Sequence, residues 1–308
     1  MSVPFVQRNI DRVALLYHRV RVSWPIWYYI LNREARSVWQ AHGRSLGGKA
    51  EELALALSRD GIAVTHIREL FGGADPFAEL QQYAEGLLRE HRQQPEPKVS
   101  GKGFTKDFML YLWGGGGTNP VLELSNPFIR FCLGEPILAV ACGYMGLAVK
   151  FHGFSLQSTL IVSPGSPEYL SQRWHRDPDD KKLVKVFLYL TDVMDEGAGP
   201  FKYVKGSHFG GTWHGLFPQR PPAGFYPKPG AVETVVPPED FVPCFGEAGT
   251  LIFCDTSGLH KGGYSTAKRR LMFSGAFVSQ ASLHPINYER PSDLPASLSL
   301  LARYALTP

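Results

Sequence analysis

Residues 172–180 read QRWHRDPDD and run almost directly into the apolar stretch LVKVFLYLTDV. In an extended segment, positions i and i+2 face the same side, so His175 and Asp177 offer one imidazole and one carboxylate to a single point. A third donor comes from GTLIFCDTSGLHKGG, where His260 follows another strand-like run, 85 residues after His175 (260 − 175). Two histidines and one carboxylate on one face of a metal leave the opposite face open, the facial arrangement of non-haem Fe(II) oxygenases. An HxD step alone is common by chance in a chain with 10 histidines; a second histidine behind a strand in a β-rich half makes the set specific. Cys132, Cys142, Cys244 and Cys254 form no CxxC pair, which disfavours structural zinc and a disulfide framework. They read as reduced core thiols of a cytoplasmic protein.

The open face of such a metal has to hold a cosubstrate that supplies electrons for O₂ activation. A dicarboxylic keto acid needs a cation for its far carboxylate, and the planar fork of arginine binds carboxylates bidentately. In STAKRRLMFSG, Arg269 and Arg270 stand nine and ten residues after His260, at the start of a strand. The plain alternative is a basic turn that keeps a strand end soluble. Among the other polar groups, Asp179 and Asp180 read as solvated loop acids. Phe187 and Tyr189 share one face of a strand and read as core, with the Tyr189 hydroxyl able to donate to a carboxylate. His208 closes a GSH turn and is expected to satisfy backbone groups, while Trp213 and His214 read as a surface pair in a long loop.

The elements that position these groups follow from patterning. GGKAEELALALS (47–58) has apolar residues at helical spacing and stops at RDG; IAVTHI (62–67) reads as a strand and 75–92 as an amphipathic helix capped by Asp75. QQPEPKVSGKG reads as a linker, and residues 126–146 as one or two helices. WGGGGTNP (113–120) lacks the GK[ST] ending of a phosphate-binding loop and reads as a flexible loop. After residue 147, AVKFHGFSLQSTLIV, KLVKVFLYLTDV, AVETVVP, GTLIFCD and RLMFSGAFVS are short β-rich runs split by turn residues, as in a sandwich or jelly roll. Helices first and an all-β core afterwards make the chain α+β.

With 32 basic and 28 acidic side chains among 308 residues, the formal charge of +4 and the absence of a dense basic cluster argue against nucleic acid. The N-terminus has no signal-peptide pattern and no apolar run of spanning length. Residues 10–36 mix arginine with Trp, Tyr and Leu; an amphipathic helix packed on its own domain is favoured over a peripheral contact with a membrane surface.

The stretches HRD…VKVFLYLTDVMDEGAGPFKYVKGSH, GTLIFCDTSGLHKGG and RRLMFSGAFVS together resemble the phytanoyl-CoA dioxygenase-like Fe(II)/2-oxoglutarate oxygenases, as does ALSRDGIAV near residue 60. The resemblance covers roughly 47–280 and is most specific over 172–278. It implies a double-stranded β-helix, a jelly-roll core of cupin type with N-terminal and flanking helices. It further implies Fe(II) held by His175, Asp177 and His260, with 2-oxoglutarate and O₂ as cosubstrates and succinate and CO₂ as products. Aligning RLMFSGAF with the family strand favours Arg270 as the cosubstrate cation, although the family commonly spaces this arginine about one residue further from the distal histidine. The family also places cosubstrate contacts on the strand holding Gln157 and Thr159, where a polar outer face is the competing reading, and often a basic residue near Lys102 or Lys106. Residues 1–46 and 209–243 have no counterpart: the former reads as a helical extension ahead of an oxygenase domain at 47–308, the latter as a lid. The expected activity is hydroxylation of a small-molecule or lipid-linked substrate. A cupin-like isomerase or lyase, or a binding protein on the same scaffold, are the rivals.

Overall fold

The computed structural model describes residues 16, 17, 20, 21, 23–42, 46–91, 106–218 and 226–308; Lys102, named above, lies outside them. Among the described residues, nine strands form two antiparallel sheets: β1 (Ile62–His66), β2 (Met109–Gly114), β3 (Lys150–Thr159), β4 (Val184–Tyr189), β5 (Phe201–Val204), β6 (Phe241–Cys244), β7 (Thr250–Cys254), β8 (His260–Gly262) and β9 (Leu271–Val278). The larger sheet runs β1-β7-β4-β9-β3-β2, and the smaller runs β6-β5-β8 with the His175 segment bridged to His260 at its β8 edge. From β3 onward the chain passes repeatedly from one sheet to the other, which is the double-stranded β-helix. The fold class is therefore α+β with a jelly-roll core, as expected.

Strand alternation sorts the side chains between a core and a cavity. On β4, Val184, Val186 and Leu188 enter the main core, while Lys185 and Phe187 line the space between the sheets. On β9, Leu271, Phe273 and Phe277 enter the core, and Arg270, Met272, Ser274 and Ala276 line the cavity. Helices cover the core face of the large sheet. Leu53 and Leu57, four apart on the helix Gly48–Asp60, are buried there. That helix ends at Gly61, whose φ is +78° and where a Cβ would fall 2.5 Å from the Tyr203 hydroxyl, so glycine is required by backbone and by space. Residues 126–146 form two helices, Pro127–Leu133 and Glu135–Met145, parted at Gly134 before Pro136. Asp75 Oδ1 accepts the Phe77 N–H at 2.9 Å, the expected cap. One β-rich run is corrected: AVETVVP (231–237) forms turns, and its Val232 and Val236 are buried against Trp174 and Leu259 in place of strand pairing.

Residues 26–41 form two helical turns and a helix, Ile26–Leu31 and Arg33–Ala41, against the domain. Trp27 is 1% exposed and its indole Nε1 donates to Asp180 Oδ1 at 2.7 Å. Asp180 Oδ2 accepts the Ser279 N–H at 2.7 Å. Asp180, expected to be solvated, is thus the knot that ties the N-terminal helices to the loop after Asp177 and to the end of β9. Among the described residues no single helix is long and apolar enough to cross a membrane.

Burial raises the Asp180 carboxyl to about 6, against the donors that favour its charge. A folded pKa above the unfolded value of ~3.9 means that stability from this group is fully present below the unfolded pKa and is lost as pH rises through the folded one. The difference in melting temperature between wild type and Asp180→Asn is therefore expected to be flat below roughly pH 4. It should move against the wild type up to about pH 6 and level off above. Scanning calorimetry across that window checks the sign; a pH-independent difference refutes it.

Candidate metal centre and cavity

His175 and His260 exchange backbone hydrogen bonds, each N–H donating to the other's carbonyl at 3.0 Å. That bridge sets their rings 4.1 Å apart between centroids. Two residues on, the Asp177 N–H donates to Thr256 O at 2.8 Å and fixes the carboxylate on the same side. One ligating atom from each of the three lies within 4.8 Å of the others. His175 Nε2 is 3.9 Å from Asp177 Oδ1, and His260 Nε2 is 3.6 Å from Oδ2.

The two imidazoles are held the same way. His175 Nδ1 lies 2.8 Å from Arg173 O and His260 Nδ1 3.0 Å from Gly258 O. A carbonyl only accepts, so this network assigns the proton to Nδ1 in both rings and leaves each Nε2 lone pair facing Asp177. Burial lowers both histidines, His260 to about 3, which keeps the rings neutral and available as ligands. For Asp177 burial works upward, but Lys185, His260 and His175 together hold it well below the usual carboxylate range. The thiols of Cys244 and Cys254 are pushed up by burial and stay out of the set, so the donors are two nitrogens and a carboxylate, which fit Fe(II).

The segment is braced from behind. Arg176, between the two ligands, points the opposite way and is 6% exposed. Its guanidinium donates to the carbonyls of Ser207 (2.5 Å), Ser257 (2.7 Å), Leu216 (2.8 Å), Trp213 (3.0 Å) and Phe217 (3.2 Å). All five donors are spent on backbone, which locks the metal segment to the loop at 207–217. Trp213 donates its indole N–H to Asp240 and His214 is exposed; neither lines the cavity. His208, expected to serve nearby backbone, reaches Ser58 O instead at 3.1 Å.

The triad opens into a cavity of about 320 Å³, within the range of small-ligand sites, roughly 300–1,000 Å³. Arg270 and Gln157 line it, as do Lys106 and Lys185, whose Nζ lies 2.6 Å from Asp177 Oδ2. Arg269 is outside it, as alternation requires. Arg270 is 2% exposed, and its Nη1 donates to Gly199 O while its Nε has no partner. Burial lowers its pKa, and among the described residues no carboxylate pairs with it. A buried guanidinium with donors to spare fits the far carboxylate of a dicarboxylic keto acid.

Thr159 is corrected. It is buried behind the arginine, where its Oγ1 accepts the Arg270 N–H at 2.8 Å and lies 2.5 Å from Ser265 Oγ. It steadies the backbone of Arg270 and does not line the cavity. Tyr189 likewise donates to Cys244 O at 2.9 Å and accepts from Phe201 N.

Several groups in or beside the cavity escaped the sequence. Lys185 is two residues before Phe187 on the same strand face, so alternation could have found it. Gln172, three residues before His175, is 1% exposed with its amide Nε2 unpartnered. Tyr226, within the segment read as a lid, stacks on His175 with ring centroids 5.8 Å apart. Asp179, expected to be solvated, also lines the cavity.

No protein-family model matches the chain, and no curated protein matches it. Solved structures do. The non-heme alpha ketoglutarate dependent epimerase SnoN from nogalamycin biosynthesis is 20% identical, with TM-score 0.50 over 75% of this chain and 82% of that one. SnoN in complex with Fe3+, alpha ketoglutarate and nogalamycin RO is 19% identical, with TM-score 0.53 over 80% and 91%. EctD from S. alaskensis with bound Fe is 18% identical, with TM-score 0.48 over 82% and 89%. At these identities the shared property is the fold.

Proposed function

We propose that this chain is an Fe(II)- and 2-oxoglutarate-dependent oxygenase that hydroxylates a C–H bond of a small molecule, close to the phytanoyl-CoA dioxygenase-like group. The observation that carries the reading is the pairing, in one cavity, of a tautomer-fixed His175/Asp177/His260 set with a buried arginine that has no anionic partner among the described residues. His175, Asp177 and His260 would hold Fe(II), and Arg270 the far carboxylate of 2-oxoglutarate. When bound, the iron and the keto acid supply the oxidising chemistry, with succinate and CO₂ released. The protein contributes position: His175 and His260 present Nε2, Lys185 neutralises Asp177, and the Tyr226 segment covers one side of the site. A cupin-like isomerase would leave Arg270 without a task.

The test is anaerobic visible absorption of the purified protein with Fe(II), before and after 2-oxoglutarate. A weak charge-transfer band is expected that needs both additions and is lost in His175→Ala. Fe(II) binding without the band would move the assignment to a cupin-like enzyme. SnoN is named an epimerase, so product analysis has to read configuration as well as mass. A gain of one oxygen supports hydroxylation.

A further inference from the structure

The cavity has a second polar end, away from Arg270, that the metal and the keto acid do not use. His152, Asp179 and Asn287 line it, and each is brought there by a separate device. In the β3–β9 ladder, Phe151 pairs with Phe277 and Gly153 with Ala276, so His152 is the extra residue of a β-bulge. Bulges re-aim side chains, often beside active sites. At the next position a Cβ on Gly153 would fall 2.5 Å from Asn287 Oδ1, so only glycine lets the amide approach. The segment carrying Asn287 is pinned by the Tyr288 hydroxyl donating to Phe151 O at 2.7 Å. Asp179 is anchored through its own carbonyl, which accepts from Ser282 Oγ at 2.7 Å. Its Oδ1 lies 3.5 Å from His152 Nε2 and 3.5 Å from His284 Nδ1, while its Oδ2 has no hydrogen-bond partner among the described residues.

The chemistry of this end selects a ligand class. A carboxylate, an imidazole and a primary amide side by side offer acceptors and donors together, and a hydroxyl needs one of each. Lys106 and Lys185 line the same cavity and oppose an ammonium, while Asp179 opposes an anion at this end. An acyl chain would desolvate the Asp179 carboxylate, whose Oδ2 has no hydrogen-bond partner among the described residues, without replacing its hydrogen bonds, which disfavours it. Resting on the oxygenase reading above, we propose that Asp179, His152 and Asn287 form the recognition end for a substrate with neighbouring hydroxyls, a glycoside or cyclitol, beside the carbon that is oxidised.

The probes are methyl hexopyranosides and inositols, with sodium decanoate and choline as comparisons, added anaerobically to the Fe(II)- and 2-oxoglutarate-loaded protein. The charge-transfer band is expected to shift with at least one polyol and with neither comparison compound. Asp179→Asn is expected to weaken that polyol's apparent Kd by about 10-fold, as for loss of a hydrogen bond to a charged group, and Asn287→Ala, whose side chain is exposed, by roughly 3-fold. The band before polyol addition should remain in both variants, which shows that they fold and load. A shift with decanoate or choline in place of polyols, no shift with any polyol, or a polyol Kd untouched in both variants overturns the proposal. Failure of the band itself is seen before any polyol is added and counts against the oxygenase reading. Calorimetric polyol binding to the metal-free wild type and Asp179→Asn then decides the recognition end separately.

Discussion

Asp177→Ala is expected to abolish 2-oxoglutarate turnover and to raise the Kd for Fe(II) by more than about 100-fold. Loss of a group that merely supports a ligand typically costs 10- to 100-fold in metal affinity, and a ligand itself must exceed that. The substitution also strands Lys185, whose ammonium now lies 2.6 Å from the carboxylate. Burial alone would lower the Lys185 pKa, but Asp177 and Asp179 hold it above its usual value. Without Asp177 the group is left less compensated between β4 and the metal segment. Metal titration and calorimetry should therefore show lost binding together with a lower melting temperature. An alanine variant that still binds Fe(II) and turns over refutes the triad.

Arg270→Met is expected to separate affinity from stability. Arg270 lines the cavity with donors to spare and no carboxylate partner among the described residues, and a charge-assisted pair there is worth about 3 kcal/mol, or roughly 100-fold in Kd. The variant should lose about that much 2-oxoglutarate affinity while keeping Fe(II). The ligand-free protein should be at least as stable as wild type, because a side chain of similar volume replaces a buried cation that has no anionic partner among the described residues. Saturating 2-oxoglutarate should then raise the melting temperature of iron-loaded wild type far more than that of the variant. Equal shifts would take Arg270 out of the cosubstrate site.

Half of the metal set was legible because its geometry is local: the i, i+2 step places His175 and Asp177 on one side of an extended segment. His260 was joined to them by its place just after a strand and by the family resemblance, since the pairing that brings it there is long-range. The same period separates Arg270 from Arg269, and the strands and helices around them are legible from spacing and turn residues. What failed was decided by distant partners. Asp180 looks like any loop acid until Trp27, 153 residues away, donates to it. Thr159 has the parity of a cavity residue, but Ser265 and the backbone of Arg270 claim its hydroxyl first. AVETVVP has strand composition but forms turns, so Val232 and Val236 go to a small apolar cluster while Val235 stays exposed. Asp179 and His152 depend on a bulge and on a segment beyond residue 280, neither of which leaves a periodic mark.

The backbone bridge between His175 and His260 has a bearing on how the protein acquires its metal. Two of the three donors are neighbours only because segments 85 residues apart exchange hydrogen bonds across the edge of the small sheet. Closing a loop of that length has to be offset by many other contacts before the bridge forms. On the nascent chain, every residue up to β8 must be made and the two sheets brought together before the full coordination set exists. His175 and Asp177 alone, emerging earlier, offer two donors on an unbraced segment. If the set holds Fe(II) as proposed, capture is a late event, coupled to closure of the barrel, and a retained metal would report that this long-range pairing at the site has formed.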